Sequence, residues 1–307
     1  MSSFILHPLP PFRLDLTAWV LRRLPANKMD RWDGRTYRRV LVVRGEPVEL
    51  STIQTKPPDA AELIVSLAGP GAAAVSEADI APILMKMLGT NVDLADFCEL
   101  ASFDARLLAL AQRFVGFRPP RLESIFEALV NGIACQQLSL IVGITLLNRL
   151  SGAYGLSVGE HHAFPRPEDL AGASEESLRS LGFSGRKARN ILAISRSVDE
   201  GTVDLDGLEQ LDDDSAQTAL CGIPGVGRWT AQYVELRGMG RLNVFPADDV
   251  GGQKKLQRWL DLSERPKYED VRQILDRWSP HRGLIYFLLL LDSQASEGLL
   301  QSEWNSG

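Results

Sequence analysis

The segment that most restricts this chain is Leu220-Cys-Gly-Ile-Pro-Gly-Val-Gly-Arg-Trp-Thr-Ala-Gln-Tyr233. Ile223 precedes Pro224, and Gly225 and Gly227 bracket Val226. Two glycines so spaced let the backbone turn tightly and present successive N–H groups outward. The flanking stretches, 215–221 and 229–237, fit helices, so the turn joins two of them. A helix beginning there aims the positive end of its dipole at the turn, which suits an anion such as a DNA phosphate. Val226 can tuck inward as a hydrophobic pin. Such a turn grips backbone rather than base edges, giving position without sequence preference. Alone, a Gly-x-Gly pair reads first as an ordinary tight turn between helices.

Around that segment the pattern divides in two. A helix at 15–24 precedes alternating or β-branched runs at 38–44, 48–55 and 62–68, which predict a small antiparallel sheet. Gly45-Glu46-Pro47 and Lys56-Pro57-Pro58 punctuate the runs. From Ser76 onward the spacing is helical almost to the end. Ser76 and Asp79 form a capping box, Pro119 or Pro120 suits the start of the next helix, and Ser139 caps another that runs to Leu150. Residues 152–167 read as a loop, Gly182 closes a short helix and Gly201 ends a longer one. Further helices fit 252–260, 269–278 and 284–291. The fold class is mainly α with an N-terminal α+β domain.

Composition sets bounds on function. With 307 residues and 45% hydrophobic content, the chain suits two or three globular domains. No apolar run is long enough to span a membrane, and no secretion signal is evident, so a cytoplasmic protein is expected. Cys98, Cys135 and Cys221 are few and dispersed, which predicts buried free thiols in a reducing compartment. The net charge of −6 is unusual for a DNA-binding chain, but basic residues gather at 22–44 and 179–189 and acidic ones at 204–214 and 264–276. Each run reads first as a solvated face.

The phrase Ile-Pro-Gly-Val-Gly-Arg-Trp-Thr-Ala resembles the hairpin of the helix-hairpin-helix/Gly-Pro-Asp superfamily of base-excision DNA glycosylases, and most of all its inducible 3-methyladenine DNA glycosylase II branch. The resemblance implies a helix-hairpin-helix glycosylase fold, with Ile223, Gly225, Val226 and Gly227 as the DNA-binding hairpin. It also implies an essential aspartate a little over twenty residues on. Asn-Val-Phe-Pro-Ala-Asp-Asp-Val250 supplies it as Asp249, with Asp248 as its helix-capping neighbour. A carboxylate suits the reaction, because breaking an N-glycosidic bond develops oxocarbenium-like charge on the sugar. Trp229 and Tyr233, four residues apart, share one helix face and offer an aromatic seat for purines made cationic by alkylation. Both rings are equally compatible with a core role. Trp229 fills the position where bifunctional relatives carry a Schiff-base lysine, which implies a hydrolytic, monofunctional enzyme. Trp19 is a looser candidate for the same base pocket.

Ala-Cys-Gln-Gln-Leu-Ser139 resembles the family's turn that inserts a side chain into the duplex when a base is flipped. Gln137 holds the wedge position, with Leu138 as its rival. The basic turn 181–189 reads as solvated, and Trp278-Ser-Pro-His-Arg282 as packing. By analogy the chain divides into an α+β domain (1–92), a helical lobe formed by 93–124 with 243–307, and a second lobe (125–242) carrying the hairpin. No cysteine follows Cys221, so the iron–sulfur loop of some relatives has no ligands. His161 and His162 sit in an expected solvated loop, and no residue set suggests a metal. The expected partner is damaged duplex DNA bound by a monomer, with no cofactor and no membrane. Two other readings stand beside this one: a glycosylase for oxidised or deaminated bases with lyase activity, through Lys254 or Lys255, and a non-catalytic helix-hairpin-helix module.

Overall fold

A computed structural model describes residues 2–300; residue 1 and residues 301–307, the outer tips of two of the expected domains, lie outside them. Five strands form an antiparallel sheet in the order β1-β5-β4-β3-β2: β1 (Ser2–Leu6), β2 (Arg31–Trp32), β3 (Thr36–Val43), β4 (Glu46–Gln54) and β5 (Leu63–Ala68). β1 and β2, the two edges, are too short for their alternation to stand out in the sequence. The β3–β4 hairpin turns on Arg44 and Gly45, both at positive φ, so Glu46 and Pro47 belong to β4 rather than to the turn. Leu63, Val65 and Leu67 of β5 alternate inward. They share a hydrophobic cluster with α1 (Leu14–Arg22) and α2 (Glu77–Leu88), which close over that face.

The remainder is helical: α3 (Ala95–Ser102), α4 (Ala105–Arg113), α5 (Ile125–Cys135), α6 (Leu140–Tyr154), α7 (Pro167–Ala171), α8 (Glu175–Ser180), α9 (Gly185–Asp199), α10 (Asp213–Cys221), α11 (Arg228–Val234), α12 (Val250–Leu260), α13 (Tyr268–Asp276) and α14 (Arg282–Ser296). A short π turn, Glu235–Met239, continues α11. The chain is thus mainly α with an N-terminal α+β portion. One hydrophobic cluster lies among α5, α6, α9, α10 and α11, and another draws on α3, α4, α12, α13 and α14 with Leu16 and Val20 of α1. Trp278 is buried in the latter, where its indole N–H donates to Asp104 at 3.1 Å.

Several local expectations are corrected. Neither Pro119 nor Pro120 starts a helix; α5 begins at Ile125, where Ser124 Oγ accepts from the Glu127 N–H. Within the expected loop, α6 runs on to Tyr154, and Ser157–Val158 pairs with His161–His162 as a two-stranded hairpin that leaves both histidines half-buried. The cysteines are not buried: Cys98 and Cys221 are exposed and Cys135 is half-buried. The basic run at 22–44 is not one solvated face either. Arg39 is only 1% exposed and pairs with Asp30 at 2.8 Å and Glu127 at 2.6 Å, joining the sheet to α5.

Candidate active site

The hairpin 222–227 connects α10 to α11 as its glycines require. Gly225 has φ +84, and a Cβ there would lie 2.0 Å from Asn190 Nδ2, so only glycine fits. Gly227 faces open space, with nothing within 4 Å of a Cβ. Ile223 and Val226 are buried and the Val226 N–H donates to the Ile223 carbonyl at 3.0 Å, which pins the turn to the core. Its outer face, Pro224 and Gly227, is exposed.

Beside the hairpin lies the turn between α5 and α6. Gln136 Nε2 donates to the Gly225 carbonyl at 2.9 Å and to Thr230 Oγ1 at 2.8 Å, tying the two turns together. Lys187 Nζ donates to the carbonyls of Ala134 and Gln136, both at 2.8 Å, at the end of α5. Lys187 is therefore a strut inside the molecule, not a solvated base, and burial lowers its pKa. Held this way, Gln137 adopts φ +55, a left-handed conformation rare for a residue with a Cβ. Gln137 and Leu138 are both exposed and both line the cleft.

That cleft, of about 680 Å³, opens between the hairpin side and α12 and α14. Trp229 and Tyr233 stack on one wall, ring centres 5.7 Å apart at 27°. The loop 243–249 carries Asp249 to the edge of that stack, within hydrogen-bond reach of Trp229. Gln232 Oε1 accepts from the Ala247 N–H at 3.2 Å and Gln253 Nε2 donates to the Ala247 carbonyl at 2.8 Å, clamping the loop from both sides. Asp249 itself caps α12, accepting from the Gly252 N–H at 2.6 Å. It also accepts from Trp229 Nε1 at 3.3 Å and from the Tyr286 hydroxyl at 3.2 Å. Asp248 is not the capping residue: it holds Arg228 through two bonds of 2.7 and 3.1 Å. Burial, with the adjacent Asp249 charge, pushes the Tyr286 phenol well above its usual pKa, so it remains a donor to the carboxylate.

Trp19 does not line the cleft. It is buried in the cluster beneath the sheet, while Val20 and Arg23, at the end of the same helix, reach the cleft instead. Arg23 Nη1 donates to the Tyr233 hydroxyl at 3.1 Å and Nη2 to Asn131 Oδ1 at 2.5 Å. Tyr286, Arg23 and Arg237 are cleft residues that sequence reasoning missed. For Tyr286 a signal existed, one hydroxyl within the apolar run 284–291. For the arginines there was none, because they reach the cleft from segments far apart in the chain. Among the described residues, no group of three or more His, Cys, Asp or Glu side chains is arranged to hold a metal, and no helix is long and apolar enough to cross a membrane.

A helix-to-helix glycine turn, a second turn tied to it, and a carboxylate bonded to the edge of an aromatic stack meet at one cleft, a helix-hairpin-helix arrangement. Residues 130–281 match the model of the HhH-GPD superfamily of base excision DNA repair proteins, and the chain belongs to that superfamily. YfjP of Bacillus subtilis (strain 168), provisionally named a DNA-3-methyladenine glycosylase, is 34% identical over 158 residues, 52% of this chain and 55% of that protein. The chain thus spans about half the length of that relative. DNA-3-methyladenine glycosylase 2 of Escherichia coli (strain K12) is 29% identical over 209 residues, 67% of this chain and 71% of its own. Among solved structures, the 3-methyladenine DNA-glycosylase of Archaeoglobus fulgidus superposes with a TM-score of 0.78 at 27% identity, covering 95% of this chain and 99% of that one.

Proposed function

We propose that this chain is a monofunctional DNA glycosylase that flips alkylated purine bases from duplex DNA and excises them by hydrolysis. The observation that carries the reading is Asp249, oriented by three donors, one of them the indole N–H of Trp229, so that carboxylate and Trp229–Tyr233 stack line one cleft side by side. A purine lying against the aromatic wall sets its sugar near the carboxylate. As the glycosidic bond stretches, positive charge grows on the sugar and Asp249 stabilises it, while water attacks the anomeric carbon. Trp229 offers no amine at the family's lysine position, so water is the nucleophile. The reaction needs no cofactor.

The exposed hairpin face holds phosphates, and Gln137, with Leu138 beside it, fills the gap left by the flipped base. The three relatives described above carry the name of DNA-3-methyladenine glycosylases, one of them provisionally, which supports the same substrate class. In this reading the protein works as a cytoplasmic monomer, with 1–92, 93–124 with 243–307, and 125–242 as its three parts. Incubation with an alkylated duplex, scored for abasic sites, tests it. Abasic sites that break only under alkali support it. A strand break without alkali that vanishes in Lys255→Met favours the lyase reading, since Lys255 also lines the cleft. No product at all, with duplex still bound, leaves a binding module.

A further inference from the structure

A second cavity, of about 550 Å³, lies where α5 begins, beside the start of α7 and the chain that leaves α9. The cleft is at the other end of α5, whose 11 residues span about 16 Å at 1.5 Å per residue. The two sites share no residue. Apolar side chains form much of the second cavity's wall: Phe126, Phe164 and Leu205 are buried, and Val203 is half-buried. Asp204 and Asp206, both exposed, stand at its mouth. Among the described residues that line it, Arg166 is the single cation, and it is taken by Glu168 and Asp169, each at 2.8 Å.

Inside, negative charge is in excess. Glu127 lines the cavity and is only 1% exposed. Both bonds it accepts, from Arg39 Nη2 at 2.6 Å and the Glu123 N–H at 3.1 Å, fall on Oε2, so Oε1 has no partner among the described residues. Asp30, Glu123 and Glu127 share one guanidinium, that of Arg39. Three carboxylates against one cation leave charge uncompensated, which is costly away from water. Burial pushes the Glu123 carboxyl up to about 7 against the pull of Arg39, with Glu127 and Asp30 adding repulsion. A proton thus offsets part of that charge near neutral pH, and a bound cation can replace it.

A buried carboxylate oxygen without a donor, apolar walls and acids at the mouth together select a cationic nitrogen on an apolar stem. A metal ion fits poorly, since among the described residues no three His, Cys, Asp or Glu side chains are arranged to hold one. An ammonium brings three donors, and its methylenes suit the walls. We propose that this cavity binds an aliphatic di- or polyamine, with one ammonium at Glu123 and Glu127 and another at Asp204 and Asp206. The methylenes between them lie against Phe126, Phe164 and Val203. This site is independent of the glycosylase reading.

Titration calorimetry on the full chain, without DNA, tests it with four probes: 1,3-diaminopropane, 1,6-diaminohexane, Mg²⁺ and a capped tripeptide with a central lysine. The longer diamine should saturate one site and bind at least about tenfold more tightly than the shorter, because three more methylenes are buried. Glu123→Gln, neutral like the protonated acid, should keep its melting temperature near pH 6 yet weaken the longer diamine by at least about tenfold. Val203→Trp, which fills the cavity and leaves its charges in place, should abolish binding of both diamines. No saturable binding of the longer diamine overturns the proposal, as does equal affinity for the two chain lengths. Displacement of the diamine by Mg²⁺ at matched charge overturns it too, because surface attraction alone predicts that. Undiminished binding by folded Glu123→Gln has the same consequence. A peptide that binds more tightly than either diamine overturns the free-amine assignment in favour of a partner's basic side chain.

Discussion

Replacing Asp249 by asparagine separates charge from shape at the centre of this site. Asparagine caps a helix about as well as aspartate, so the bond from the Gly252 N–H survives and α12 loses only the charge–dipole part, below about 1 kcal/mol. In the transition state the loss is larger. A carboxylate about 4 Å from a developing positive charge contributes about 4 kcal/mol at an effective dielectric constant near 20. At roughly 1.4 kcal/mol per decade that is about a thousandfold in rate. Re-aimed amide dipoles recover some of it, so the expected fall in single-turnover excision is at least about a hundredfold. Affinity for an abasic-site duplex should stay within about an order of magnitude, because hairpin contacts are unchanged. Asp248→Asn should be much milder, since its partner is Arg228. The assay pairs excision with duplex binding and a thermal melt for each variant. Near-normal excision by folded Asp249→Asn, or a rate loss matched by an equal loss of binding, would refute the electrostatic role.

The other outcomes follow from the same geometry. Gly227→Ala, with open space around its Cβ, should weaken damaged and undamaged duplex binding by similar factors with little change in melting temperature. Gly225→Ala should instead destabilise the fold, because its Cβ meets Asn190. Gln137→Ala should slow excision from stable pairs more than from unpaired lesions. Lys187→Met, which frees the Ala134 and Gln136 carbonyls, should have the same signature, and the double variant should be no worse than the stronger single one. Glu235 is buried, which raises its pKa to about 7 from 4.5. Its contribution to stability is then full below pH 4.5 and is lost as pH rises through about 7. Glu235→Gln should therefore stabilise the protein by up to about 3 kcal/mol at pH 9, and by little near pH 4.5, in denaturant titrations.

Local features were legible in the sequence because their causes are local. Gly225 and Gly227 specify a turn, Ser76 and Asp79 a cap, and the period-two run at 63–68 a strand, each through forces acting within a few residues. Asp249 and Trp229 were singled out by the superfamily resemblance, through their positions relative to the hairpin along the chain. Which residues meet across the cleft was not legible. Trp19 and Arg23 lie one helical turn apart on α1, yet packing against the sheet buries the first and leaves the second to grip Tyr233, 210 positions away. Lys187 reads as a surface charge until α9 lies against α5 and gives its ammonium two carbonyls. Asp248 and Asp249 are near equivalents in sequence. Only the fold gives one to Arg228 and the other to Gly252, Trp229 and Tyr286, because long-range packing decides which donors stand within reach of which oxygen.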